Sequence, residues 1–552
     1  MKVAAIVAAL LERAGVQDVF GVPGESYLPL LDELAAQGAP RFVTARHESG
    51  AGFMADAYAR ATGGLGVALA SRGPGALNLA IALHQAQQDG SPVVALIGQV
   101  PTAVRGREAF QELDVAAALG PVVKWAAEAA RPERAGELVA RALAVARSGR
   151  PGPVVVALPE DVLEAEGGDV PPPPEPVPAP APDREQLGRA VAWLQAAERP
   201  VVVAGRGVLE SGATGRLVAL ADALGLPVYS AWRRMDVFPN DHPCYAGTLA
   251  IANDPEVVRA LLEADLVLGV GTGWDEITSL RYRAPRGRLI WVDVDPVRMA
   301  GAVAGLPARE WLAVVADPGR FAEALMERMP GPGRPGWRAL AEACHERYLR
   351  FSTLPETLGT LPLPEAVAAA LTRVLPPEAA VVSDAGNFAS WYHRYYRFRL
   401  PGTHFAPVSG AMGYGLPAAI GVALGDRASG RWGPGGRPVV CLAGDGGFLM
   451  TASELATVVR LGLKVVALVF DNGLYGTVWA HQRRRTDDPR RLSVNALTNP
   501  DFAALARAFG VRGETVTRAA DVEPALRRAL EGPGPCVLHL KVEPSRLHAL
   551  EA

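Results

Sequence analysis

Cysteine is scarce in this chain: Cys244, Cys344, Cys441 and Cys536 are the only four in 552 residues. They lie far apart with no metal-ligand spacing, which argues against a disulfide framework or a cysteine zinc site and leaves buried thiols of a cytoplasmic protein as the expectation. Long apolar runs are also missing, so no segment is expected to span a bilayer. Met1-Lys2-Val3-Ala4-Ala5 leads into an amphipathic helix without a cleavage site, so no targeting leader is expected. Excess charge is absent too. The 55 Lys and Arg against 58 Asp and Glu leave −3 at pH 7, which gives no electrostatic reason to expect nucleic acid or membrane partners. Lysine is rare beside arginine, and alanine, glycine and proline abound, a balance that a GC-rich genome and a hot habitat would both produce.

What is present is apolar sequence for several cores. At 49% hydrophobic and 20% charged the chain reads as globular, and its length suggests three or four domains. Residues 1–165 alternate helical patterns with β-branched runs such as Val93-Val94-Ala95-Leu96-Ile97 and Val154-Val155-Val156-Ala157-Leu158, the alternation of a parallel sheet covered by helices. Residues 170–180, rich in proline, can join neither sheet nor helix and read as an extended linker. A second unit, 185–330, has strands near Val201–Ala204, Leu266–Val270 and Leu289–Asp295, with Gly205-Arg206-Gly207 after the first, weak evidence for a nucleotide by itself. A Pro/Gly break at 330–336 closes it. A helix and an extended connector then lead to a third unit, 357–552. The expected fold class is α/β, with three doubly wound parallel-sheet domains.

The third unit holds the most specific pattern. Val439-Val440-Cys441-Leu442-Ala443 runs into Gly444-Asp445-Gly446-Gly447, and Val465–Phe470 runs into Asp471-Asn472-Gly473. Loops at the carboxyl ends of parallel strands form the ligand crevice of an open α/β sheet, so Asp445 and Asn472 can meet there, with Thr451–Leu463 expected as the crossover helix. A carboxylate and an amide oxygen are hard ligands that suit Mg²⁺ or Ca²⁺ when a diphosphate and water complete the shell. Gly444, Gly446 and Gly447 let backbone N–H groups approach phosphate oxygens. Either Asp-Gly or Asn-Gly alone is also an ordinary turn dipeptide.

Gly444-Asp445-Gly446 followed by Asp471-Asn472 resembles the signature of thiamine diphosphate (ThDP) enzymes, whose usual ending is Asn-Asn. The resemblance implies a metal, Mg²⁺, held by Asp445, Asn472 and the backbone carbonyl of Leu474. It also implies that the three units are a pyrimidine-binding, a central and a diphosphate-binding domain. Arg46-His47-Glu48 resembles the acetolactate synthase branch, where this glutamate hydrogen-bonds N1′ of the aminopyrimidine and promotes loss of the cofactor's C2 proton. Read from pattern alone, Glu48 is an acid at a helix start, favoured by the dipole. Gly73-Pro74-Gly75-Ala76-Leu77-Asn78 is similar to a cofactor-bordering turn of that branch, which implicates Gly73 and Asn78. Ala109-Phe110-Gln111-Glu112 matches a segment whose Phe and Gln border the substrate; without the resemblance it reads as one face of a helix. Met412 stands where a large apolar residue wedges the cofactor into a bent shape, though a core methionine is the plain alternative. Gly386 and Asn387 lie where a loop touches the diphosphate.

Three departures fall around the acceptor pocket. Gly273-Trp274-Asp275-Glu276 stands where the branch has Arg-Phe-Asp-Asp, Glu160 replaces a lysine, and His481 replaces a tryptophan. Arg72, His84, Arg105, Arg107 and His481 are candidates to supply the lost polar contacts. The resemblance implies decarboxylation of a 2-oxo acid with carboligation, two pyruvates giving acetolactate and CO₂. The alternatives are a ThDP-dependent decarboxylase or lyase for another 2-oxo acid, or an FAD-linked oxidoreductase of the pyruvate oxidase type. FAD is a further possible cofactor, since the branch holds one at its central region. The implied assembly is a homodimer or dimer of dimers, with a regulatory small subunit as a further partner and Glu48 and Asp445 acting across the interface.

Overall fold

A computed structural model describes residues 1–172, 177–354, 363–433 and 436–550; the middle of the proline linker (173–176) and the junction of the expected connector with the third unit (355–362) lie outside them. Three six-stranded parallel sheets carry the chain. The inner strands are short apolar runs buried on both faces, as parallel strands under helical cover must be, while edge strands such as Arg41–Thr44 and Trp125–Glu128 are only partly buried. Val93–Gln99, Val154–Pro159 and Val465–Asp471 are buried at every position.

The N-terminal sheet runs Arg41–Thr44, Asp18–Gly21, Gly66–Ser71, Val93–Gln99, Val154–Pro159, Trp125–Glu128 from edge to edge. The C-terminal sheet repeats that connectivity, second-first-third-fourth-sixth-fifth, with Val439–Gly444 and Val465–Asp471 at its centre. The central sheet instead runs sixth-fifth-fourth-first-second-third, so its direction reverses between Pro200–Ala204 and Leu266–Val270.

The chain divides into two compact units. The first comprises 1–177, 379–389 and 405–547 and holds the N- and C-terminal sheets. Helices Glu48–Thr62 and Gly415–Ser429 pack together inside it, and glycine sets their approach: a β-carbon on Gly421 would lie 2.2 Å from the Met54 carbonyl. A buried polar network bridges the same two helices. The Tyr414 hydroxyl donates to Asp56 at 2.8 Å, and Arg60 donates to Asp89 at 2.8 Å and to the Tyr414 oxygen at 3.1 Å. Burial, then the nearby Asp89, raises the Asp56 pKa.

The second unit comprises 178–378, 390–404 and 548–552. The helix Pro335–Ser352, beyond the Pro/Gly break, returns to the central core through Trp337, Ala341 and Tyr348. The four cysteines are unpaired and buried, as expected. Among the described residues no helix is long and apolar enough to cross a membrane.

Local structure differs from expectation at three places. Gly73-Pro74-Gly75 is the first turn of the helix Arg72–Asp89, not a free turn. Pro74 is tolerated there because the first-turn N–H groups have no intrahelical partner. The segment 105–112 is an irregular loop, with Glu108 and Gln111 at positive φ of 55° and 64°. The crossover begins at Asp445 itself, as Asp445–Thr451, then a 3₁₀ turn Ala452–Glu454, then Leu455–Arg460.

Candidate active site

Two hydrogen-bonded groups in the first unit gather most of the expected residues. One forms around Glu48. Strand Arg41–Thr44 ends four residues earlier, and Glu48 opens the helix Glu48–Thr62 with His47 as N-cap, its ring nitrogen accepting the Ser49 N–H at 3.2 Å. Asn78 Nδ2 donates to Glu48 Oε2 at 3.0 Å. The other oxygen lies in a notch left by Gly75, where a β-carbon would stand 3.1 Å from Oε1. The loop carrying Gln111 docks here too, the Gly73 N–H donating to the Gln111 carbonyl at 2.9 Å. Gln111 thus occupies a strained left-handed conformation that the packing enforces, a feature concentrated at functional sites. Phe110 beside it is 75% exposed.

The second group forms around Asp445, the first residue of a helix capped by Gly444, where the helix dipole favours negative charge. Asp445 accepts the Gly446 N–H at 2.8 Å, the Gly473 N–H at 2.9 Å and Asn499 Nδ2 at 2.8 Å. Gly473 follows Asn472, so the two strand ends meet through a direct hydrogen bond. Asn472 Oδ1 accepts the Leu474 N–H at 3.1 Å, and the Leu474 carbonyl accepts the Gly476 N–H at 2.9 Å. The Asp445 carboxylate thus binds the backbone of the segment that carries the Asn472 amide oxygen and the Leu474 carbonyl. That hard-oxygen donor set fits Mg²⁺. Neighbouring side chains pack close on its glycines: a β-carbon on Gly446 would strike the Tyr475 ring at 2.7 Å, and one on Gly447 would lie 3.0 Å from Asp384.

Burial drives the Asp445 pKa up to about 6, although the hydrogen bonds from Gly446, Asn499 and Gly473 oppose the rise. Asp471 goes the other way. Burial alone would raise it, but hydrogen bonds from His539 (2.8 Å), Lys541 (2.5 Å) and Asn499 (2.8 Å) hold it well below the ordinary carboxylate range. Asn499 thus bridges the two carboxylates. The departure from Asn-Asn is balanced by a lysine directly across the sheet, Asp471 pairing in register with Lys541.

The loop expected at the diphosphate follows strand Ala380–Ser383. Asn387 accepts the Thr477 hydroxyl at 2.9 Å, and Phe388, after Gly386, stacks on Phe470 with ring centroids 5.3 Å apart. Asp384 accepts the backbone N–H groups of Ala385, Gly413 and Gly415. Met412, next to Gly413, is half-buried, whereas Ala411 and Tyr414 beside it pack on the core. Gln85 accepts both the Ser409 N–H (3.1 Å) and its hydroxyl (2.6 Å), anchoring the same loop.

The candidates for lost acceptor contacts divide. Arg72 forms an ion pair with Glu160, and Arg105 is held by Glu112 at 3.1 Å and Glu128 at 2.7 Å, so neither is an uncompensated cation. His84, Arg107 and His481 are exposed. In the second unit Trp274 is buried with its indole over Gly269, while Asp275 and Glu276 face solvent. Gly205 and Gly207 lie against Gly271, whose carbonyl accepts the Gly207 N–H at 2.8 Å, and their lack of side chains serves that contact.

Asn499, Lys541, His539, Asp384, Gln85 and Thr477 were not anticipated. For Lys541 a signal existed: an aspartate in place of an asparagine at a buried strand end requires a counter-charge. The others are common polar residues in unremarkable local sequence.

A paired duplication of one parallel-sheet connectivity, an acid at a strand-to-helix junction and a glycine-lined carboxylate–amide site define a diphosphate-cofactor enzyme of the thiamine class. Family models bear on every sheet: residues 1–118 match the N-terminal TPP binding domain, 187–325 the central domain and 384–540 the C-terminal TPP binding domain of thiamine pyrophosphate enzymes. The chain belongs to the thiamine pyrophosphate enzyme family. Within it the chain is like the acetolactate synthase large subunits. It is 33% identical to that of Parasynechococcus marenigrum over 98% of this chain and 87% of the relative, and 32% identical to the isozyme 3 large subunit of Escherichia coli over 95% and 91%. An X-ray structure described as a thiamin diphosphate-dependent enzyme of Mycobacterium smegmatis superposes with a TM-score of 0.83 at 28% identity, covering 98% of this chain and 99% of that one.

Proposed function

We propose that this enzyme decarboxylates a 2-oxo acid and ligates the remaining two-carbon fragment to a second carbonyl, with pyruvate in both roles, so that two pyruvates yield acetolactate and one CO₂. The observation that carries this reading is Glu48, held by Asn78 in a notch that Gly75 leaves open. A protein that only bound a diphosphate would have no use for a positioned acid away from the metal site. ThDP, when bound, supplies the electron sink for the charge left by CO₂ loss.

In this reading Asp445, Asn472 and the Leu474 carbonyl hold Mg²⁺, and Gly444, Gly446, Gly447, Gly386 and Asn387 receive the diphosphate. Gly73, Asn78 and Met412 border the rings. Glu48 holds a proton at the pyrimidine nitrogen it faces, while Phe110 and Gln111 border the substrate. Residues 1–165 form the pyrimidine-binding domain, 185–330 the central domain and 357–552 the diphosphate- and metal-binding domain. The active assembly is a homodimer or dimer of dimers in the cytoplasm, with Glu48 of one chain completing the site of the next. A regulatory small subunit is a further partner, since the relatives are large subunits.

One observation favours a second reading, decarboxylase or lyase action on another 2-oxo acid. The acceptor-side arginine is replaced by Gly273, beside the buried Trp274, and Arg72 is neutralised by Glu160. A third reading, an FAD-linked oxidoreductase of the pyruvate oxidase type, predicts bound, reducible flavin in the purified protein. ¹³C NMR of the enzyme with [2-¹³C]pyruvate, ThDP and Mg²⁺ tests the proposal. Accumulating acetolactate is the expected result; unchanged pyruvate in protein that demonstrably binds ThDP overturns pyruvate as substrate and favours the second reading.

A further inference from the structure

Glu454 is fully buried and has no role in the reaction proposed above. It ends the 3₁₀ turn Ala452–Glu454, which directly continues the helix opened by Asp445. Its Oε1 accepts the backbone N–H groups of Arg46 at 2.9 Å and His47 at 3.2 Å, donors 408 and 407 positions away in sequence. Its Oε2 accepts the Thr457 hydroxyl at 2.6 Å. Gly50 makes the seat: a β-carbon there would lie 2.5 Å from Oε1. Burial raises the Glu454 pKa, against the hydrogen bonds from Thr457, Arg46 and His47 that lower it.

A carboxylate with no exposure is costly unless its lone pairs are used, and two of these three donors come from a distant loop. That loop is the one that matters. Arg46 and His47 immediately precede Glu48, and His47 caps its helix, so the path of these two residues sets the angle at which the Glu48 side chain departs.

We infer that Glu454 is a positioning residue for Glu48, clamping the Arg46-His47 backbone so that the Glu48 carboxylate keeps its direction. The inference rests on the reading of Glu48 as the acid at the aminopyrimidine. The continuous segment 445–454 then carries the metal carboxylate at one end and the clamp at the other.

The test uses the full-length chain and the variants Glu454→Ala, Glu454→Gln and Gly50→Ala, beside Glu48→Gln. Hydrogen exchange in cofactor-free protein reads the Arg46 and His47 amides directly. Protection there should fall by about tenfold or more in Glu454→Ala and stay near wild type in Glu454→Gln, whose amide oxygen still accepts. Calorimetry with ThDP and Mg²⁺ should give affinities within about threefold of wild type, while C2 proton exchange of bound ThDP slows about 10- to 100-fold in Glu454→Ala and Gly50→Ala and recovers in Glu454→Gln.

Wild-type C2 exchange in Glu454→Ala, with the two amides deprotected, would overturn the inference and leave Glu454 a packing residue. Should Glu454→Ala not fold, Gly50→Ala decides in the same way, because it displaces the carboxylate without removing it. Wild-type protein that binds no ThDP, or Glu48→Gln that exchanges C2 normally, would instead overturn the underlying reading, and the calorimetric and Glu48→Gln arms show that outcome separately.

Discussion

Glu48 and Gly75 approach so closely that a side chain at position 75 would press on the carboxylate: a β-carbon would stand 3.1 Å from Oε1 of Glu48 and 3.3 Å from the Ala70 β-carbon. Gly75 lies inside the helix Arg72–Asp89, where alanine is intrinsically better than glycine by about 1 kcal/mol. Gly75→Ala should therefore melt no lower than wild type yet turn over about tenfold more slowly, because the Glu48 carboxylate must yield by a few tenths of an ångström. Thermal melts alongside initial rates check this. A parallel loss of both would show that the glycine serves packing alone.

Asp471 is buried and Lys541 half-exposed, so removing the lysine strands a carboxylate that cannot reach water. Lys541→Met should lose about 1–3 kcal/mol of stability in urea titrations, and Asp471→Asn in the same chain should restore most of it. The sign with pH follows from the depressed Asp471 pKa. Its stabilising contribution is present above the unfolded-state value of about 4 and disappears as pH falls through the folded-state value, so the gap between wild type and Lys541→Met should narrow in acid.

Asp445 shows the opposite dependence. As the proposed metal ligand it would yield to a cation the proton that burial holds on it up to about pH 6. Magnesium affinity, measured calorimetrically with ThDP present, should climb by up to about tenfold per pH unit below that value and level off above it. Without metal, the raised pKa contributes stability that is complete below about 4 and lost as pH rises through about 6. Asp445→Asn should remove both slopes and most of the metal affinity.

Glu48→Gln and Asp445→Ala should each abolish turnover, the first with ThDP binding intact and the second without it. If sites are completed across a dimer, mixing the two variants under conditions of subunit exchange should recover up to about a quarter of wild-type activity, since half the dimers are mixed and each has one competent site. An inactive mixture, with heterodimers verified by mass, would place both residues in the site of a single chain.

Strand runs were legible because a buried parallel strand needs an uninterrupted β-branched stretch; Leu266–Val270 falls where the sequence puts it. The loop around Gln111 was not. Ala109-Phe110-Gln111-Glu112 has helix-compatible residues, and only its docking on Gly73 forces Gln111 to positive φ. In the same way Gly73-Pro74-Gly75 looks like a turn until the helix that absorbs it is seen. The carboxylate and amide of Asp445 and Asn472 were readable from spacing because glycines mark both strand ends. Glu454 and Asn499 act through partners 408 and 54 positions away, a separation that no local pattern records.

The Asp471–Lys541 pair constrains the order in which this sequence can change. Replacing Asp471 by asparagine first leaves a lysine already half in water, a tolerable intermediate. Replacing Lys541 first leaves a buried anion with part of its compensation gone. Where both residues change, the order that leaves lysine opposite asparagine is therefore favoured over the one that leaves Asp471 without its lysine.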